Sequence, residues 1–75
     1  MKIKFNEPKD GEITGTIKTS AGSSNFRVFV QLDRISFHQS GHTQEAMYSA
    51  LPAIEVIQNN FQSYYNMLSE LFSAK

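Results

Sequence analysis

From Thr43 onward, apolar residues recur in steps of three and four. Met47, Ala50, Ile54, Ile57, Phe61, Tyr64, Leu68 and Leu71 fall on that spacing without a gap. A seam of this period, about 3.5 residues per repeat, is what a helix buries along one side. No other stretch is as regular, so the rest of the chain has to supply a surface for this helix to cover. Thr43 suits the N-cap, and Glu45 in the first turn suits the positive end of the helix dipole.

Pro52 lies inside the seam. In a helix interior it removes a hydrogen bond and clashes with the preceding turn, at a cost of about 3 kcal/mol. The spacing therefore predicts a helix kinked or broken near Pro52. Pro52 shares its wheel position with Asn59, Asn66 and Ser73, so its ring would face solvent. The seam also keeps its phase from Ala50 to Ile54, which favours a kink.

The preceding residues alternate with period two. Ile3 and Phe5 oppose Lys2 and Lys4 in a short stretch suited to a sheet edge, where lysines discourage further pairing. Asn6–Gly11 reads as a turn. Over Glu12–Lys18, Ile13, Gly15 and Ile17 share one face. A glycine in the middle of an apolar strand face marks a bulge or the close approach of another backbone, here expected to be the helix. Thr19–Asn25 reads as a small, polar, flexible loop. Phe26–Leu32 is the strongest strand, with Phe26, Val28, Val30 and Leu32 facing inward.

The parity then flips to Ile35 and Phe37. A turn at Asp33-Arg34 would set Leu32 opposite Ile35 and Val30 opposite Phe37, giving a short fourth strand over residues 35–38. A bulged third strand is the alternative.

These readings define an α+β chain, an antiparallel β-meander of three to four strands with one face covered by the long C-terminal helix. Its 75 residues form a single domain, with the meander over 1–38 and the helix over 43–74. The expected core is Ile3, Phe5, Ile13, Ile17, Phe26, Val28, Val30, Leu32, Ile35, Phe37, Met47, Ala50, Ile54, Ile57 and Phe61.

A chain this small draws only about 3–5 kcal/mol from a lone core. Without cysteine it has no disulfide and no thiolate zinc site to add to that. A straight helix over the whole seam would run roughly 45 Å, against about 23 Å for a seven-residue strand. Tyr64, Tyr65, Met67, Leu68, Leu71 and Phe72 would overhang the sheet. They would either fold back or bury themselves against a partner, and a homodimer through the C-terminal helix is the expected outcome.

Seven basic and seven acidic residues balance overall, which disfavours a general polyanion binder. No apolar run is long enough for a signal peptide or a membrane span. With no cysteine, the expectation is a cytoplasmic protein.

Candidate chemistry is sparse. His38, His42 and Glu45 have loose metal-ligand spacing, but Ser40 and Gly41 make the segment a turn, so no metal or other cofactor is expected. No nucleophile–base–orienter set is evident, and no catalytic residue is assigned. Phe29 stands out among Arg27 and Gln31 on the outer face of its strand, with Thr14 and Thr16 expected nearby. Arginine and aromatics together are typical of interface anchors.

The segment Leu32–Ala46 runs from a strand through a Ser-Gly turn to Thr and Glu-Ala opening a helix. That passage resembles the strand-to-helix passage of HicB-type antitoxins, although the Pro- and Gly-containing turn of that family is absent. The β-β-β-α order also resembles double-stranded RNA-binding domains, but Gln44-Glu45-Ala46 stands where those place a lysine cluster. The chain is assigned to neither.

The expected function is a small non-enzymatic protein-interaction module that binds and inhibits or regulates a larger protein, on the scale of phage or bacterial accessory proteins. Its contact residues would be Thr14, Thr16, Arg27, Phe29 and Gln31, or the helix end. The alternative is a dimeric nucleic-acid binder using Lys2, Lys4, Lys18 and Arg27.

Overall fold

The computed structural model describes residues 1–74. Four strands, β1 (Lys2–Phe5), β2 (Ile13–Thr19), β3 (Gly22–Gln31) and β4 (Arg34–Gly41), precede two helices, α1 (Gln44–Asn59) and α2 (Phe61–Ser73). The strands form one antiparallel sheet in the order β1-β2-β3-β4. Alternation decides which face is covered. Ile13, Gly15 and Ile17 of β2 and Ser24, Phe26 and Val28 of β3 are buried, and the residues between them are not. Ala46, Ala50, Ile54 and Ile57 of α1 and Phe61 and Leu68 of α2 close the core from above.

The helical seam is interrupted at Asn60 rather than at Pro52, which lies inside α1. Pro52 is exposed, so the carbonyl it leaves without a partner is on the wet side. Asn60 leaves helical geometry at φ −126° and ψ 35°, and its Nδ2 donates to the Val56 carbonyl at 2.9 Å. A short amide that bonds nearby backbone competes with the helix ladder, which is why asparagine stops helices. The stop leaves α1 with 16 residues. That is about 24 Å of helix, close to the length of β2. The N-terminus of α1 follows expectation, with the Thr43 hydroxyl accepting from the Ala46 N–H at 3.1 Å.

Two connections differ from the sequence expectation. The Thr19–Asn25 segment is not a loop. Thr19 pairs with Gly22, only Ser20 and Ala21 turn, and β3 begins at Gly22. Small polar residues there have weak strand propensity, but the ladder to β2 overrides it, even though the Ser24 hydroxyl is buried without a hydrogen-bond partner. Small residues also let α1 lie close: a Cβ at Gly22 would come within 3.3 Å of the Ala46 methyl.

The β3–β4 turn falls at Leu32-Asp33, one residue earlier than expected, so Val30 faces Ile35 and Val28 faces Phe37. Consequently β4 spans Arg34–Gly41 instead of 35–38. Leu32 and Asp33 both take positive φ, 52° and 62°. Two-residue hairpin turns demand this because it matches the strand twist. For a residue with a Cβ the conformation costs about 1–2 kcal/mol. Replacing Leu32-Asp33 by Asn-Gly is expected to raise stability by about 1 kcal/mol, or about 4–8 °C in Tm, read by thermal denaturation. Leu32 is 88% exposed, so no packing is lost.

That register also removes Leu32 from the expected core. Val30 is 55% exposed and Ile3, on edge strand β1, 38%. Phe5, Ile35, Phe37 and Met47 are half-buried. Ala46, Ser24 and Leu68, absent from the expected core, are buried.

Candidate binding face

The helices cover one side of the sheet and leave the other open. The register fixes what the open side presents. Thr14 of β2 lies beside Arg27 of β3, which lies beside His38 of β4; Thr16 lies beside Asn25, which lies beside Ser40. Lys2 pairs with Lys18, and Lys4 with Thr16. Gln31 pairs with Arg34 at the turn end. All of these share the parity opposite to the buried residues.

Three side chains on this face hold one another. The Phe29 and His38 rings stack at 5.2 Å between centroids with 8° between planes. The Arg27 guanidinium sits 5.3 Å from the Phe29 centroid. A cation over an aromatic face is attracted by the ring quadrupole, by about 0.5–1 kcal/mol at an exposed site. Phe29 is half-buried by these neighbours, while Arg27 and His38 remain exposed. The cluster is thus a pre-positioned flat anchor and not a loose phenylalanine. The threonines are engaged too. Thr16 Oγ1 donates to Asn25 Oδ1 at 3.0 Å, and Asn6 Nδ2 donates to Thr14 Oγ1 at 3.1 Å.

Within the strands themselves the charge is of one sign. The four strands contain Lys2, Lys4, Lys18, Arg27 and Arg34 and no aspartate or glutamate. Glu12 continues the outward line of β2 just beyond its end, where its backbone pairs with that of Lys9. Glu45, Glu55 and Glu70 are on the helices. The other acids, Glu7, Asp10 and Asp33, lie in the turns between strands, and Asp10 and Glu12 share a cleft with Phe29 at one end of the sheet. In the sequence His38 stands out only for metal spacing, and Arg34 only as a turn residue. Hairpin parity was the signal that places both on this face. Among the described residues no His, Cys, Asp and Glu cluster could hold a metal ion.

The expected helix-end contact set does not stay together. Tyr64 packs on Phe5 at 6.1 Å between centroids. The Tyr65 hydroxyl accepts from the Gly11 N–H at 3.2 Å, and its ring lies 5.9 Å from that of Phe61. Leu68 is buried, Phe72 is half-buried against the core, and only Met67 and Leu71 stay exposed. No helix is long and apolar enough to cross a membrane. No family model matches the chain, and no curated protein or solved structure matches it either.

Proposed function

We propose that this chain is a binding module whose working surface is the open face of its sheet, and that its partner is a single-stranded nucleic acid. The observation that carries the reading is the joint placement of five cations and the Arg27–Phe29–His38 stack on one uncovered face with no acid among the strands. Cations that neutralise phosphates supply affinity, and the stacked Phe29–His38 pair, whose His38 is exposed, supplies a platform for bases. Whole-chain neutrality does not oppose this, because the acids lie on the helical side and beyond the strand ends.

The test is fluorescence anisotropy with a short labelled oligothymidine. Binding should weaken steeply with salt, with a log–log slope of roughly −0.7 for each phosphate neutralised. Phe29→Ala should weaken it by about tenfold to a hundredfold, the worth of one stacked base, while leaving the thermal transition in place. No binding at micromolar protein, or affinity indifferent to salt, would overturn the nucleic-acid partner.

A second reading rests on the Arg27–Phe29 contact alone. Arginine and aromatics are typical anchors of protein interfaces, so the same face could dock on and regulate a larger protein. This reading is preferred if oligonucleotide fails to bind and Phe29→Ala abolishes capture of an acidic protein.

A further inference from the structure

We infer that the free edge of β4 pairs with β4 of a second copy of this chain, joining two sheets into one. The inference is independent of what binds the open face. It starts from the unequal treatment of the two sheet edges. β1 is four residues long and carries Lys2 and Lys4. Short, lysine-bearing edges resist further pairing. β4 is eight residues long and contains no lysine, proline or acid, only Arg34 at its turn end. Such an edge offers a row of main-chain donors and acceptors to another strand.

The groups on offer follow from the hairpin. A two-residue turn closes on a pair that exchanges both hydrogen bonds, here Gln31 and Arg34. Alternation then directs the N–H and C=O of Ile35, Phe37 and Gln39 away from β3. One interaction agrees with this: Gln58 Nε2 donates to the Ile35 carbonyl at 2.6 Å, from outside the ladder.

The edge is complementary to itself. A two-fold axis at Phe37 sets Phe37 against its own copy, Ile35 against Gln39 and Ser36 against His38. Arg34 then meets Ser40. Ile35, Phe37 and Gln39, whose main-chain groups point away from β3, meet one another, with the Ile35 carbonyl using its second lone pair beside the Gln58 bond, and no two like charges oppose. Centring on Ser36 would pair only residues 34–38, and centring on His38 would set that imidazole against its own copy. Centring on Ile35 or Gln39 would shorten the overlap.

Helix α1 fits the same arrangement. It packs across β3 and β4 about equally. Joined sheets would bring the two α1 helices about two strand spacings apart, roughly 10 Å, which is a normal interhelix distance. Met47 and Gln58 mark the side of α1 nearest β4, through the Gln39 Nε2 bond to the Met47 carbonyl and the Gln58 bond to Ile35. Leu51 falls on that same line, half-buried, and Tyr48 beside it is 67% exposed. They would meet their copies at the seam. The open faces would merge as well, presenting two Arg27–Phe29–His38 anchors on one surface.

The test is solution mass by light scattering over a dilution series of the full chain and two variants. Ser40 is exposed and away from the core, so its replacement leaves the fold intact. Ser40→Glu places a carboxylate opposite Arg34 twice by symmetry, and Ser40→Lys places a like charge there. The dimer dissociation constant should fall with Ser40→Glu and rise with Ser40→Lys, each by roughly two- to thirtyfold, and Arg34→Ala should erase both effects. A monomer at every concentration would overturn the inference. So would a dimer blind to the charge at Ser40 but dispersed by Leu71→Ser, since that would place the contact on α2.

Discussion

Replacing Gly15 with alanine is expected to lower stability by about 3 kcal/mol, an effect near the top of the usual range for overpacking a core. Gly15 is buried in the middle of β2 opposite Phe5 of β1 and Phe26 of β3. A Cβ there would overlap the Lys4 carbonyl oxygen and come 2.9 Å from the Phe26 ring. The ring could shift, but the carbonyl belongs to the sheet backbone and cannot. Phe26 meets Phe5 edge-on at 6.0 Å, and Phe5 in turn meets Tyr64 of α2. The space a side chain would take is therefore where the aromatic contact between sheet and α2 begins. Alanine recovers part of the loss, about 0.4–1 kcal/mol, by stiffening the unfolded chain.

At roughly 0.05–0.15 kcal/mol per residue, the remaining loss is a large share of the total. Urea denaturation gives the value directly. Phe26→Leu in the Gly15→Ala background should return less than half of it, because the carbonyl clash persists. A midpoint for Gly15→Ala within about 0.5 kcal/mol of the parent would mean that β1 does not lie against β2 as described.

Gly15 also shows how far the sequence could be read. Its position on an apolar strand face signals a close approach, and that is observed. The helix was the expected neighbour, but β1 and a phenylalanine ring fill the space, because strand alternation does not say which element arrives. The same limit applies at the helix break. Pro52 is the stronger local breaker, yet its exposed position makes the lost hydrogen bond cheap, and the Asn59-Asn60 pair ends the helix where the sheet runs out.

The meander was legible because Ile13, Ile17, Phe26 and Val28 alternate cleanly. The β3–β4 turn was not, because Leu32 carries no turn signal and its positive φ is imposed by the hairpin. For the open face, sequence parity sufficed for Arg27, Phe29 and Gln31. Lys2, Lys4, Lys18 and Arg27 were likewise legible as a basic sheet side, whereas the addition of Arg34 and of His38 beside Arg27 needed the β3–β4 register.

Leu68→Ala is expected to cost about 2–4 kcal/mol, whereas Leu71→Ala, three residues along the same seam, should stay within about 0.5 kcal/mol. In the sequence the two leucines are equivalent members of one apolar line. Both lie on α2, beyond the break at Asn60. That break turns α2 back so that Leu68 is 3% exposed within the core while Leu71 is 61% exposed. Tyr65 to Gly11 and Tyr64 to Phe5 hold α2 in that orientation. Once α2 is folded back, Met67 and Leu71 are the large apolar residues it still exposes. Two side chains fall far short of the roughly 800 Å² per partner of a standard interface. This is why the β4 edge, and not the helix end, is the better place for a second copy. Urea midpoints of the two alanine variants decide the point. Equal losses at Leu68 and Leu71 would mean that α2 does not rest on the core through Leu68, and would return the helix end to contention as a self-association surface.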